Sequence, residues 1–264
     1  MQPQYGPALA DMIEGTLSWR MWGRLGWLDI KRRYRRTMIG PFWTTLSLGI
    51  FILTLGIMWA HLWKQDATTY LPFLCSGFLV WVMVSTTLIE GCAVFFSAEG
   101  IIKQLRFPYS TLVWSVVWRN VIVFFHNLIV FLLVGLYAGV SVTWATLLVV
   151  PGLLLLILNS LWMVTLLGLI CCRFRDIQQV MSSILQLSMF VTPIFWMADQ
   201  LGERLISLVD YNFLFHVVDI VRSPLLGKAP SLWSWLFVGV VTFFGWIATL
   251  LIFSRFRRRI SYWI

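Results

Sequence analysis

The sequence predicts an all-α polytopic membrane protein with six transmembrane helices and both termini cytoplasmic. Three observations predict it. Hydrophobic residues make up 59% of the 264 and charged residues only 12%, against roughly 25% charged in a soluble domain. Long stretches carry no Asp, Glu, Lys or Arg, the longest running from Asn120 to Cys172. The net charge of +9 gathers in segments between apolar runs, the pattern of positive-inside topology. A nucleic-acid-binding domain would carry its cations on one soluble face, so nucleic acid is not an expected partner.

Each element follows from what spans a bilayer. A crossing helix needs about 20 mostly apolar residues, because each adds about 1.5 Å and the hydrocarbon is about 30 Å thick. The spans are expected at about 40–63, 67–96, 112–137, 145–170, 177–196 and 232–253. The first carries no charge, the second is broken only by Glu90, and the third contains Arg119. The uncharged stretch after Asn120 is too long for one crossing. Gly135, Gly139 and Ser141 mark the turn that divides it.

Orientation follows from counting cations. Fifteen Lys and Arg fall on the N-terminal side: Arg20, Arg24, Lys31, Arg32, Arg33, Arg35, Arg36, Lys103, Arg106, Arg173, Arg175, Arg255, Arg257, Arg258 and Arg259. The other side holds Lys64, Arg204, Arg222 and Lys228. Positive segments stay in the cytoplasm, and six crossings return the chain to its starting side.

Two segments are not spans. Residues 1–38 form a cytoplasmic tail, with 8–36 expected as one amphipathic helix along the membrane surface, and 39–264 form the transmembrane domain. Leu17, Met21, Leu25 and Leu28 repeat with helical spacing beside a basic stripe of Arg20, Arg24 and Lys31. Trp19, Trp22 and Trp27 suit the headgroup zone. The external stretch 197–231 is apolar but its runs are too short to cross. Segments 201–209 and 213–226 read as short helices, either a buried cap or a surface hairpin. No cleavable signal peptide is expected, since the first long apolar run starts only near Gly40.

Catalytic motifs are missing. No lysine lies in a GxxxxGK[ST] loop, and neither HExxH nor GxSxG occurs, so no nucleotide site or enzyme activity is expected of this chain. Cys75, Cys92, Cys171 and Cys172 form no CxxC pair and the three His are scattered. Buried thiols are expected, with no metal and no cofactor. The two intramembrane charges, Glu90 and Arg119, fall at similar depth near the inner ends of their spans. They either pair with each other or snorkel separately to the interface. Arg119, Asn120, His126 and Asn127 share one polar face of the third span.

A series of motifs resembles the permease subunits of bacterial polysaccharide-export ABC transporters, the Wzm/KpsM/TagG type, and most of all an O-antigen (lipopolysaccharide) export permease. They are Lys31-Arg32-Arg33-Tyr34-Arg35-Arg36-Thr37-Met38-Ile39-Gly40-Pro41-Phe42-Trp43; Tyr70-Leu71-Pro72-Phe73-Leu74 with Gly77 and Trp81; and Glu99-Gly100-Ile101-Ile102-Lys103-Gln104-Leu105-Arg106-Phe107-Pro108. Further on come Arg175-Asp176-Ile177, Thr192-Pro193-Ile194-Phe195, and the basic, aromatic tail 257–263. Ile39 replaces the usual Leu, and Tyr211-Asn212-Phe213 stands where Asn-Pro is common.

The resemblance implies a multi-pass subunit of the bacterial inner membrane. It works as a homodimer with two copies of a cognate ABC ATPase, and its substrate is an undecaprenyl-diphosphate-linked glycan within the lipid bilayer. Lys31, Arg32, Arg33, Arg35 and Arg36 are the expected headgroup site, because the arginine fork matches phosphate oxygens; the same charges also serve topology. Residues 98–108 are expected as a short helix docking on the ATPase, carried by Glu99, Ile101, Ile102, Lys103, Leu105 and Arg106. Trp43, Trp59, Trp81 and Phe95 are candidates to line a glycan path. Alternatives are an ABC permease for a drug or small lipid, an intramembrane lipid or sugar transferase, and a structural membrane scaffold.

Overall fold

In the computed structural model, which describes residues 6–35, 37–40, 42–62, 64–197 and 209–264, every regular element is a helix. Arg36, Pro41 and the expected external helix at 201–209, apart from Val209, lie outside the described residues. Five helices are long and apolar enough to cross a membrane. They are α3 (Phe42–Leu62), α4 (Ala67–Cys92), α6 (Ser110–Ala138), α7 (Val149–Arg173, preceded by the 3-10 turn Trp144–Leu148) and α10 (Leu232–Phe256). The chain is a multi-pass membrane protein.

Local signals explain where these helices start and stop. The Asp66 carboxylate accepts the Thr68 N–H at the start of α4, and Ser231 accepts the Ser234 N–H at the start of α10. Each satisfies a donor that the first helical turn leaves unpaired. Gly139 ends α6 with φ 68°, a left-handed conformation that glycine adopts without a Cβ penalty, and it lies in the turn expected between the third and fourth spans.

The fifth crossing differs from expectation. Helix α8 (Ile177–Val191) has only 15 residues, about 22 Å at 1.5 Å per residue. It stops because Pro193 lacks an N–H and forces the residue before it out of the helical region. Thr192 is extended, with φ −84° and ψ 135°.

The N-terminal segment is also rearranged. It is two helices, α1 (Gly6–Leu17) and α2 (Trp19–Arg33), broken at Ser18, whose hydroxyl donates back to the Glu14 carbonyl. Both pack on the bundle: α1 rests on α6 and α10, and α2 on α6. Small residues allow this approach. A Cβ on Gly15 would collide with Ser110, and one on Gly26 would sit 3.0 Å from the Ser115 carbonyl oxygen. Trp22 stacks on Trp114 at 5.2 Å and meets Trp118 edge-on. Of the expected apolar stripe, Leu25 packs on the core, while Leu17 and Leu28 face outward.

Between α4 and α6 lie the 3-10 turn Phe96–Ala98 and α5 (Glu99–Gln104). The expected helix at 98–108 is therefore shorter. Leu105 is extended, and residues 105–108 continue without regular structure to Pro108. Helix α9 (Phe213–Leu225) is buried over most of its length against α4, α7 and α10, a packed cap and not a surface hairpin. Asn212 caps it by accepting from Leu214 and Phe215 N–H, so its side chain starts the helix without the usual following Pro. The core runs through the middle of the bundle, where Leu74, Leu79, Val80, Val164 and Ile220 are all essentially inaccessible. The last turn of the chain is the 3-10 turn Arg257–Arg259 and α11 (Ile260–Trp263).

Candidate functional site

The candidate site lies at the end of the bundle where both chain ends meet. Asp11 of α1 pairs with Arg257 beyond α10, Nη2 to Oδ2 2.6 Å. The same carboxylate accepts the Tyr109 and Ser110 N–H groups at 3.1 and 3.0 Å, and Ser110 Oγ donates to it at 2.9 Å. Asp11 is almost wholly buried, yet it is fully used. It caps α6 from another helix and neutralises the arginine that follows α10. The five long helices alone would leave the two chain ends on opposite faces of a membrane. Their pairing therefore requires α8 and its continuation to carry the chain across as a sixth crossing.

Glu90 and Arg119 sit at the same end, with Arg119 Nη2 to Glu90 Oε2 2.7 Å and Nε 3.2 Å. They belong to a chain of four charges. Arg33 at the end of α2 donates to Glu90 Oε1 at 2.5 Å, and Arg119 Nη1 donates to Asp29 Oδ2 at 2.6 Å. Asn120 Nδ2 also donates to Glu90 at 2.8 Å, while Thr86 Oγ1 donates to Asn120 Oδ1 at 2.8 Å. The acceptors of Glu90 and the donors of Arg119 are thereby met, as charges taken out of water require. The network ties α2 to α4 and α6. Burial alone lowers the Arg33 pKa, but the hydrogen bond and charge of Glu90 more than offset this, leaving it above its ordinary value.

Next to this network a cleft of about 400 Å³ opens between α2, α4 and α6, and Arg32, Arg33, Glu90 and Arg119 contribute to its wall. Lys31, Arg32 and Arg33 form the last turn of α2, where cations are favoured by the helix dipole. Lys31, Arg32 and Arg35 are exposed and have no ion-pair partner among the described residues. The expected headgroup residues thus divide into one arginine already engaged, three free cations beside it, and Arg36, which lies outside the described residues.

The segment 99–108 lies on the same end. Ile102 is buried and fixes α5 to the bundle, whereas Ile101 and Leu105 point outward. Lys103 pairs with Glu99 at 2.6 Å, and that hydrogen bond holds the Glu99 carboxyl below its ordinary pKa. Arg106 is exposed in the segment that follows α5.

The four aromatics expected along a glycan path do not come together. Trp81 and Phe95 are 4% and 0% exposed, so they are core residues of the bundle. Trp43 is half-exposed at the start of α3, and Trp59 is partly covered further along the same helix. The rest of the polar face of α6 is used internally, with Thr45 donating to Asn127 and His126 facing Phe42.

Sequence reasoning missed Asp11 and Asp29. Asp29 is the one acid of a basic helix and Asp11 sits among apolar residues of α1, placements that cost stability unless a cation or other donors meet the carboxylate. That cost was the available signal. Among the described residues no group of three or more His, Cys, Asp or Glu is placed to hold a metal ion.

Residues 22–226 match the family model described as ABC-2 type transporter. The chain is 28% identical over 168 residues to an O-antigen export system permease protein RfbA of Myxococcus xanthus, a match covering 64% of this chain and 65% of that protein. Two Klebsiella pneumoniae proteins of the same name are 23% and 22% identical over 234 and 240 residues. Those matches cover 87% and 88% of this chain, and 88% and 90% of the relatives.

Proposed function

The chain belongs to the ABC-2 type transporter family, and from that premise we propose that it is the membrane subunit of an exporter for a lipid-linked polysaccharide of the O-antigen class. The subunit sits in the bacterial inner membrane and works as a homodimer, driven by two copies of a separate ABC ATPase. Membrership of the family makes it a transport subunit. The glycan, the dimer and the ATPase partner are the proposal.

The observation that carries this reading is the cluster of free cations at the end of α2. Lys31, Arg32 and Arg35 have no ion-pair partner among the described residues and stand by the cleft that Arg33 and Arg119 border. Arginine forks and a lysine point charge are what a diphosphate headgroup needs. The names of the three relatives support the substrate class. Packing supports the dimer. The middle of one protomer is filled by side chains, so a path wide enough for a sugar chain runs between two copies related by a twofold axis. Trp43 and Trp59 on α3 remain the aromatic candidates for that path.

The test replaces Lys31, Arg32 and Arg35 together by Gln and leaves Arg33 in its network. Export of the glycan is expected to stop while the ATPase still co-purifies. Wild-type export in this variant would reject the headgroup role.

A further inference from the structure

We infer that the C-terminal turn and helix, residues 257–264, form the second wall of the ATPase docking surface, and that the groove between this wall and the coupling segment receives an acidic segment of the ATPase. The inference rests on the reading of α5 as the segment that meets an ATPase.

The groove has a volume of about 810 Å³ and is bordered by Lys103, Arg106, Tyr109, Arg257, Arg258 and Ser261, with Glu14 at one edge. Its two walls are joined and do not merely adjoin. Tyr109 Oη and Ser261 Oγ share a hydrogen bond of 2.6 Å, and the Arg257 guanidinium lies 5.4 Å from the Tyr109 ring centre. Ile260 is fully buried and fixes the last turn to the bundle, and α11 packs on both α5 and α7. A load on α5 therefore reaches the C-terminal wall directly.

Charge identifies the occupant. Lys103 is matched by Glu99 and Arg257 by Asp11. Arg106 and Arg258 are exposed and have no ion-pair partner among the described residues, one on each wall. Glu14, the one acid lining the groove, has no ion pair among the described residues either, and the two arginines outnumber it; the remaining positive charge favours a partner segment that brings carboxylates, as complementary surfaces do. Leu105, exposed beyond the end of α5, lines the same groove, so a partner seated there also covers Leu105.

The test measures binding of the purified full-length chain to its cognate ATPase in an uncharged detergent. Arg258→Glu is expected to weaken binding by about tenfold or more, as reversal of a paired interfacial charge does. Arg259→Glu makes the same charge change on the same turn at a residue outside the groove, and is expected to stay within about twofold. Leu105→Asp reports on the α5 reading itself. Loss with Leu105→Asp but not with Arg258→Glu overturns the second wall and leaves the coupling reading standing. No loss with either overturns both. Equal loss with Arg258→Glu and Arg259→Glu indicates a diffuse basic field and overturns the groove. Because charge reversal can disturb assembly, Arg258→Lys supplies a second test. A zero-length carbodiimide is expected to join its new amine to an ATPase carboxylate, and absence of that crosslink in the intact complex also overturns the inference.

Discussion

Asp11 and Arg257 stand 246 positions apart in the chain and 2.6 Å apart in the fold. Their pairing closes one end of the bundle, because the same carboxylate also caps α6. Asp11→Ala leaves two backbone donors and a guanidinium without a partner, at an expected cost of about 3 kcal/mol. The purified protein should melt at a lower temperature in detergent. Arg257→Gln should cost less, since its side chain keeps partial access to water. The double variant should lose less than the sum of the two; additive losses would show that the residues do not act together.

The four-charge network predicts an order of stabilities. Arg119→Leu leaves Glu90 held by Arg33 and Asn120 alone and leaves Asp29 unpaired, for an expected loss of about 3 kcal/mol. Replacing Glu90 and Arg119 together by Leu removes both charges from the interior and should be milder than Arg119→Leu. Thermal unfolding of the three proteins checks the order. A double variant less stable than Arg119→Leu would contradict it.

Docking of α2 depends on one glycine. A Cβ at Gly26 meets the Ser115 carbonyl at 3.0 Å and the Trp118 ring at 3.1 Å, whereas one at Gly23 meets nothing within 4 Å. Gly26→Val should lift α2 from α6, break the Trp22–Trp114 stack and expose 19–33 to protease. Gly23→Ala should leave protection unchanged or improve it slightly, as Ala favours the helix over Gly by about 1 kcal/mol. Limited proteolysis distinguishes them.

On the opposite end, Tyr70 is fully buried and its hydroxyl donates to the Phe195 carbonyl at 2.5 Å, while Arg222 donates to the Pro193 carbonyl at 2.6 Å and lies over Phe73. These bonds hold the non-helical turn after α8. Tyr70→Phe should cost about 1–2 kcal/mol for an acceptor left without its donor. A cysteine placed at Phe195 should then react faster with a membrane-permeant maleimide than it does beside an intact Tyr70.

Most of the fold was legible because lipid leaves few choices. Uncharged runs of about 20 residues have to be helices, and α3, α4, α6, α7 and α10 lie where those runs are. The parts that were not legible depend on neighbours that sequence spacing does not reveal. The Leu17–Leu28 stripe reads as a membrane face, yet α1 and α2 are placed by Gly15 and Gly26 against α6, since absent side chains leave no periodic mark. Pro193 was visible, but its effect on α8 needed the realisation that Thr192 cannot stay helical. In the candidate site, Glu90 and Arg119 were suggested by their matching depth, while Asp29 and Arg33 joined them from a helix that had been assigned to the membrane surface. Trp81 and Phe95 were chosen as aromatics alone, and composition does not separate a core ring from a lining one.

The shortness of α8 bears on the lipid around it. Ile184, Leu187 and Phe190 face outward from the protomer on a helix about 8 Å shorter than the hydrocarbon is thick. Acyl chains resting on this face have to compress, or the phosphate layer has to sink to meet Thr192, at a cost of fractions of a kcal/mol per Å. Where lipid meets this face, thinning beside α8 is the expected response, and it would shorten the stretch of oil that a polar group crosses there.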